Sequence, residues 1–133
     1  KFFVSNNDAA CSSMFDFTDK IKTSEQWNKK DHKMINSYLL KTITLDKLLK
    51  DNKIDPKNYN HWVLDLQGAE LLALKGAEES LKTCHSILIE VSKKQFYSGG
   101  VLWDELKKWL ENRNFINTRE PEKDEEDILF LKN

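Results

Sequence analysis

Three carboxylates stand where chemistry is possible: Asp65, Glu70 and Glu90. Asp65 lies near the end of the apolar run 62–66, and Glu90 near the end of the run 86–91. The middle of a buried parallel strand excludes a carboxylate, but its carboxyl end opens onto the crevice where α/β proteins bind ligands. Between the two runs Gln67-Gly68 makes a turn, Gly68 letting the backbone bend without a side chain in the way. Glu70 then falls in the first turn of a helix, where the dipole favours a negative group. Proton transfer is the chemistry open to carboxylates so placed.

The elements that position them read as strand, turn, helix, strand. Residues 61–66 form the first strand, expected to be central and buried. From Ala69 to Cys84 the apolar positions Leu72, Ala73, Ala77 and Leu81 keep a helical period. Gly76 shares that face, which implies close packing against a sheet, and Glu78 with Lys82 makes an outer i,i+4 pair. Residues 86–91 are the second strand, giving a parallel βαβ unit of right-handed crossover. A loop ends in Ser98-Gly99-Gly100, which can cap the next helix. That helix runs to about Arg113 with the stripe Leu102, Trp103, Leu106, Trp109 and Leu110. Residues 115–118 and 128–131 look like a closing antiparallel pair, and the six acids of 120–127 like a mobile hairpin loop between them.

Upstream, residues 1–4 read as a short strand running into the sheet, followed by turn chemistry at 5–8. Met14 to Phe17 is a brief apolar anchor. Residues 18–34 show no period and read as a solvated loop tacked down by Trp27. Residues 35–45 alternate loosely as a strand, Thr44 or Asp46 can cap a short helix, and Asp55-Pro56 signals a turn. The expectation is one α/β domain over 1–133: a strand and loop region, 1–60, before a βαβαββ core, 61–133.

Bulk properties narrow the function. A chain of 133 residues with 39% hydrophobic residues suits one soluble domain. A net charge of −1 gives no field for nucleic acid or a membrane surface, and no apolar run approaches a membrane span. Cys11 and Cys84 form neither a metal spacing nor a disulfide framework, and Cys84 reads as a reduced core thiol, so a cytoplasmic setting is expected. His32, His61 and His85 are too scattered for a metal site. The chain opens on Lys1-Phe-Phe-Val without Met, which suggests a piece of a longer protein.

Leu64-Asp-Leu-Gln-Gly-Ala-Glu70, Leu74-Lys-Gly-Ala-Glu78 and Ile87-Leu-Ile-Glu-Val-Ser92 together resemble the FkbM family of S-adenosylmethionine-dependent methyltransferases. Val4-Ser-Asn-Asn7, the Ser12-Ser13 pair and Thr44-Leu-Asp46 follow the same family in the same order. The resemblance implies a Rossmann-like class I methyltransferase fold with a mostly parallel sheet and an antiparallel last strand. It also implies that the cofactor-binding N-terminal half is missing, since none of the four glycines lies in a GxG turn. The implied activity is methyl transfer to a hydroxyl of a sugar or other small polar acceptor, with S-adenosylmethionine not bound by this part alone. The rival is a non-catalytic remnant that binds a partner chain.

By that resemblance Asp65 is the prime active-site residue, as general base, metal ligand or partner of the cofactor. Glu70 orients the acceptor or Asp65; as a bland alternative it is simply a helix-start residue. Glu90 faces the same crevice or pairs with Lys93 and Lys94. Gln67 and Gly68 shape the turn. Asn7 and Ser13 line the acceptor side or serve their own turn, and Tyr97 reaches over the site or only packs. With its cofactor strand absent, the 61–66 strand would present an open edge, inviting a dimer or pairing with the missing half unless residues 1–4 cover it.

Overall fold

The computed structural model describes residues 1–23 and 31–133; Trp27 lies outside them. Two sheets form. The smaller is a ribbon of β1 (Phe2–Ser5) and β2 (Met34–Tyr38), paired antiparallel. The larger contains β3 (His61–Leu64), β4 (Ser86–Ser92), β5 (Phe115–Asn117) and β6 (Glu125–Lys132), in the order β3-β4-β6-β5. The β3–β4 pair is parallel, and β6 runs antiparallel to both β4 and β5. The βαβαββ order after residue 60 is therefore present, and the fold is a mixed α/β one. Strand β1 does not enter the main sheet. It spends its hydrogen bonds on β2, whose sequence holds strand geometry only to Tyr38.

Strand β4 is the hub because both its edges are paired. Its alternation puts Ile87, Ile89 and Val91 inward. They meet Leu71 and Leu74 of α2 (Glu70–Lys75), Leu81 of α3 (Glu78–Leu81), and Trp103, Leu106 and Leu110 of α4 (Trp103–Glu111) in one core with Ile128 and Phe130. The α4 stripe is as the sequence predicts. Register carries the opposite face through Val63, Leu88 and Leu129, and there Val63, Ile116 and Leu131 are 66%, 52% and 47% exposed. Strand β3 is thus an edge strand with one open face, not a central buried one. Its outer edge is unpaired among the described residues.

The single helix expected over 69–84 is two. It breaks at Gly76, where Leu72 and Ala73 carbonyls close the α2 turn. The buried phase is Leu71, Leu74, Ala77 and Leu81, and Leu72 is exposed. Gly76 lies not against the sheet but against Thr44, whose Cβ would stand 3.3 Å from an added Cβ. Thr44 caps α1 (Leu45–Asp51) through its side chain. Asp46 instead crosses to α3, accepting from the amides of Glu79 and Ser80 at 2.9 Å each. Partial burial pushes the Asp46 carboxyl up, but the Ser80 hydroxyl and those two amides outweigh it and hold it below the usual range. So the Thr-Leu-Asp and Leu-Lys-Gly-Ala-Glu segments are one docked unit. Glu78 bridges Arg113 at 2.6 Å rather than Lys82, which pairs with Glu79.

Candidate active site

The β3-to-α2 turn is built by two left-handed residues in succession, Gln67 at φ 52° and Gly68 at φ 93°. Three features hold it. Glu70 folds back so that its Oε1 accepts from the amides of Leu66 at 2.9 Å and Gly68 at 3.2 Å. Ser13 donates its hydroxyl to the Gln67 carbonyl at 2.7 Å, and Val101 donates its amide to the Gly68 carbonyl at 3.2 Å. A Cβ on Gly68 would sit 3.1 Å from Tyr97 Cβ and 3.2 Å from Gly100 Cα. Backbone strain and crowding therefore act together at this position. Gly68→Ala is expected to destabilise the domain by about 2–4 kcal/mol, read from the urea midpoint.

Above the turn, four acids converge. Asp65 is exposed, Glu90 is half-buried, and Glu70 and Glu125 are buried. The Gln67 side chain lies across two of them, its Nε2 donating to Asp65 Oδ1 at 2.5 Å and to Glu90 Oε2 at 3.1 Å. Burial first, then the negative charges of Glu125, Asp65 and Glu70, push the Glu90 carboxyl up to about 9. Glu90 is a neutral acid at pH 7, and it is hydrogen-bonded to Asp65. Burial also raises Glu70. A recess lined by Gly68, Glu70, Glu90, Tyr97 and Glu125 has room for no more than about one water molecule. The open side of the cluster is at Asp65, which is exposed.

The residues chosen from sequence mostly come together. Asp65, Gln67, Gly68, Glu70 and Glu90 share one neighbourhood, and Ser13 is tied to it by its hydroxyl. Asn7 stays in its own loop, accepting from Ser5 Oγ at 2.6 Å and donating to Cys11 Sγ at 2.9 Å. Glu90 is not paired with Lys93 or Lys94: Lys93 reaches the carbonyls of Pro121 and Glu122, and Lys94 bridges Asp124. The 120–127 run is organised. Glu120 accepts from Trp103 Nε1 at 3.0 Å, and Glu126 pairs with Arg119 at 2.7 Å.

Glu125 was hidden in that run. The register sets it opposite Ser92 on the face of Glu90, where it is buried while Asp127 on the same face is exposed. Tyr97 does both things allowed for it, packing on Phe17 with ring centres 5.3 Å apart and donating its hydroxyl to Gln67 Oε1. Ser98 to Gly100 do not cap α4, whose N-cap is Leu102. Among the described residues, no group of three or more His, Cys, Asp or Glu side chains could hold a metal ion, and no helix is long and apolar enough to cross a membrane.

Fold and site together define an α/β domain with a carboxylate cluster at the carboxyl ends of its two parallel strands. A family model, the methyltransferase FkbM domain, matches residues 2–116 of the chain. The chain belongs to that family. Neither the curated proteins nor the solved structures contain a match to it.

Proposed function

We propose that this chain is the acceptor-side part of an S-adenosylmethionine-dependent methyltransferase that O-methylates a sugar or another small polar hydroxyl compound. The observation that carries the reading is Asp65: an exposed carboxylate at the end of β3, held by Gln67 and adjoining a second carboxyl group. An oxygen acceptor must lose its proton as it is methylated, and a positioned carboxylate can take it. Asp65 receives that proton, Gln67 and Gly68 set the turn beneath it, and Glu70 holds the turn's amides. Ser13 braces the same turn, Glu90 adjoins Asp65, and Asn7 shapes the neighbouring loop.

The cofactor does not fit the residues present. Gly68 and Gly100 face Tyr97 and each other, Gly76 faces Thr44 and Gly99 faces Phe15, so none cradles a ligand. We therefore place the cofactor on a further strand that pairs along the outer edge of β3, in a Rossmann-like class I arrangement. The edge of β3, unpaired among the described residues, and the exposed Val63 support this; a dimer through the same edge is the alternative use of it. The reaction is cytoplasmic in this reading and involves neither nucleic acid nor membrane.

Calorimetry with S-adenosylmethionine on residues 1–133 should show no micromolar binding. A polypeptide extended by the coding sequence upstream of Lys1 should bind the cofactor and transfer its labelled methyl group to a hydroxyl acceptor. Extension that restores neither would favour a non-catalytic, partner-binding module instead.

A further inference from the structure

The Gln67 amide donates hydrogen bonds to both Asp65 and Glu90, and it has a sense. Its Nε2 faces the two carboxyl groups and its Oε1 faces the Tyr97 hydroxyl. In the reverse orientation the amide oxygen would face the two carboxyl groups and the amide N–H groups the Tyr97 hydroxyl, which would lose its acceptor at Gln67. Tyr97 is 3% exposed. Its ring is clamped between Phe17 and the Gly68–Gly100 approach, and its hydroxyl lies 3.3 Å from the Cys11 carbonyl. That carbonyl and Gln67 Oε1 are both acceptors, so the hydroxyl acts there as a donor.

We propose that Tyr97 is a positioning residue for the acceptor's deprotonation: its hydroxyl sets which way the Gln67 amide faces, and the amide sets Asp65. The proposal rests on the reading of Asp65 as the proton acceptor. Burial above all keeps the tyrosine protonated and hence a permanent donor. The charges that act on Glu90 are those of Glu125 of β6, Asp65 and Glu70 of α2, all negative, while Lys94 lines the same recess and is bridged to Asp124. The N–H that Gln67 donates is a direct counterweight to negative charge on Asp65, and its aim matters.

Tyr97→Phe removes one oxygen and leaves the ring packing. In the methyl-transferring protein it should lower kcat about 10-fold, with KM for the cofactor within about twofold, because a misplaced group costs rate rather than cofactor binding. It should also move the acid limb of the kcat profile to higher pH. Independently of activity, carbon-13 NMR of residues 1–133 should show the Asp65 titration moved to higher pH in the variant, because the Gln67 amide is no longer held to donate to it. Gln67→Met should give the same shift, and adding Tyr97→Phe to it should add nothing. If Tyr97→Phe fails to fold, Gln67→Met alone still decides whether the amide sets Asp65. An unchanged Asp65 titration in either variant, or additive shifts in the double variant, would overturn the proposal. Loss of methyl transfer in the parent protein would instead sink the functional reading and leave the titration result standing.

Discussion

If the proposed function holds, Asn in place of Asp65 in the upstream-extended protein should cut methyl transfer by about 100-fold or more while leaving the fold intact, the loss expected when a general base is removed. The substitution is nearly isosteric, and the Asn side-chain oxygen can still accept from Gln67 Nε2, now at 2.5 Å from Asp65 Oδ1. Geometry therefore survives and only the ability to take a proton is lost. The fall should appear in kcat and kcat/KM alike, because the missing interaction is made in the transition state. With no internal base, the residual rate should rise steadily with hydroxide concentration. The asparagine should also lower the Glu90 pKa, since the Asp65 charge is one of the causes that raise it. A loss of less than about threefold, with the pH profile unchanged, would remove Asp65 from the chemistry.

The sequence showed Asp65 for a specific physical reason: a lone carboxylate ending an apolar strand has few structural excuses. The same logic revealed Glu90 and the turn at Gly68. What it could not show was whether β3 had neighbours on both sides. Val63 and Leu64 look equally apolar, yet Val63 is exposed and Leu64 packs against the core, and only pairing decides between them. The break at Gly76 has no clear local signal, because Leu71, Leu72 and Leu74 fit either of two helical phases. Asp46 was seen as a cap but assigned to its own helix, since a bond to residues 79 and 80 has no local signature. Glu125 was invisible for a related reason. In a run of six acids, burial depends on register and on what packs over each position: Asp127 shares the face of Glu125 and is exposed.

Glu90, the half-buried acid beside Asp65, helps set how stability depends on pH. Glu90 holds its proton to about pH 9 in the folded chain, against an ordinary value of 4.5. Between those values the native state binds more protons than the unfolded state, so stability must fall as pH rises. Glu70, raised by burial, adds to the same trend. Acids held below their ordinary range, Asp46, Glu78, Glu120 and Glu126, have the opposite sign, but they titrate in more acidic solution. Their contribution is complete above about pH 5 and cannot mask the decline. The domain should therefore be most stable near pH 5 and lose about 3 kcal/mol by pH 8, a figure kept below the full linkage value because Glu90 is only half-buried.

Glu90→Gln isolates the cause. A neutral amide matches the protonated acid in size and can still donate toward Asp65, so near pH 5 the variant and parent should have similar urea midpoints. By pH 8 the variant should be the more stable by most of that difference, because it has no proton to surrender on unfolding. Parallel curves for the two proteins between pH 5 and 8 would mean that Glu90 ionises normally in the fold. The neutral acid beside Asp65 would then be lost, and two charged carboxylates would have to share the one Gln67 amide.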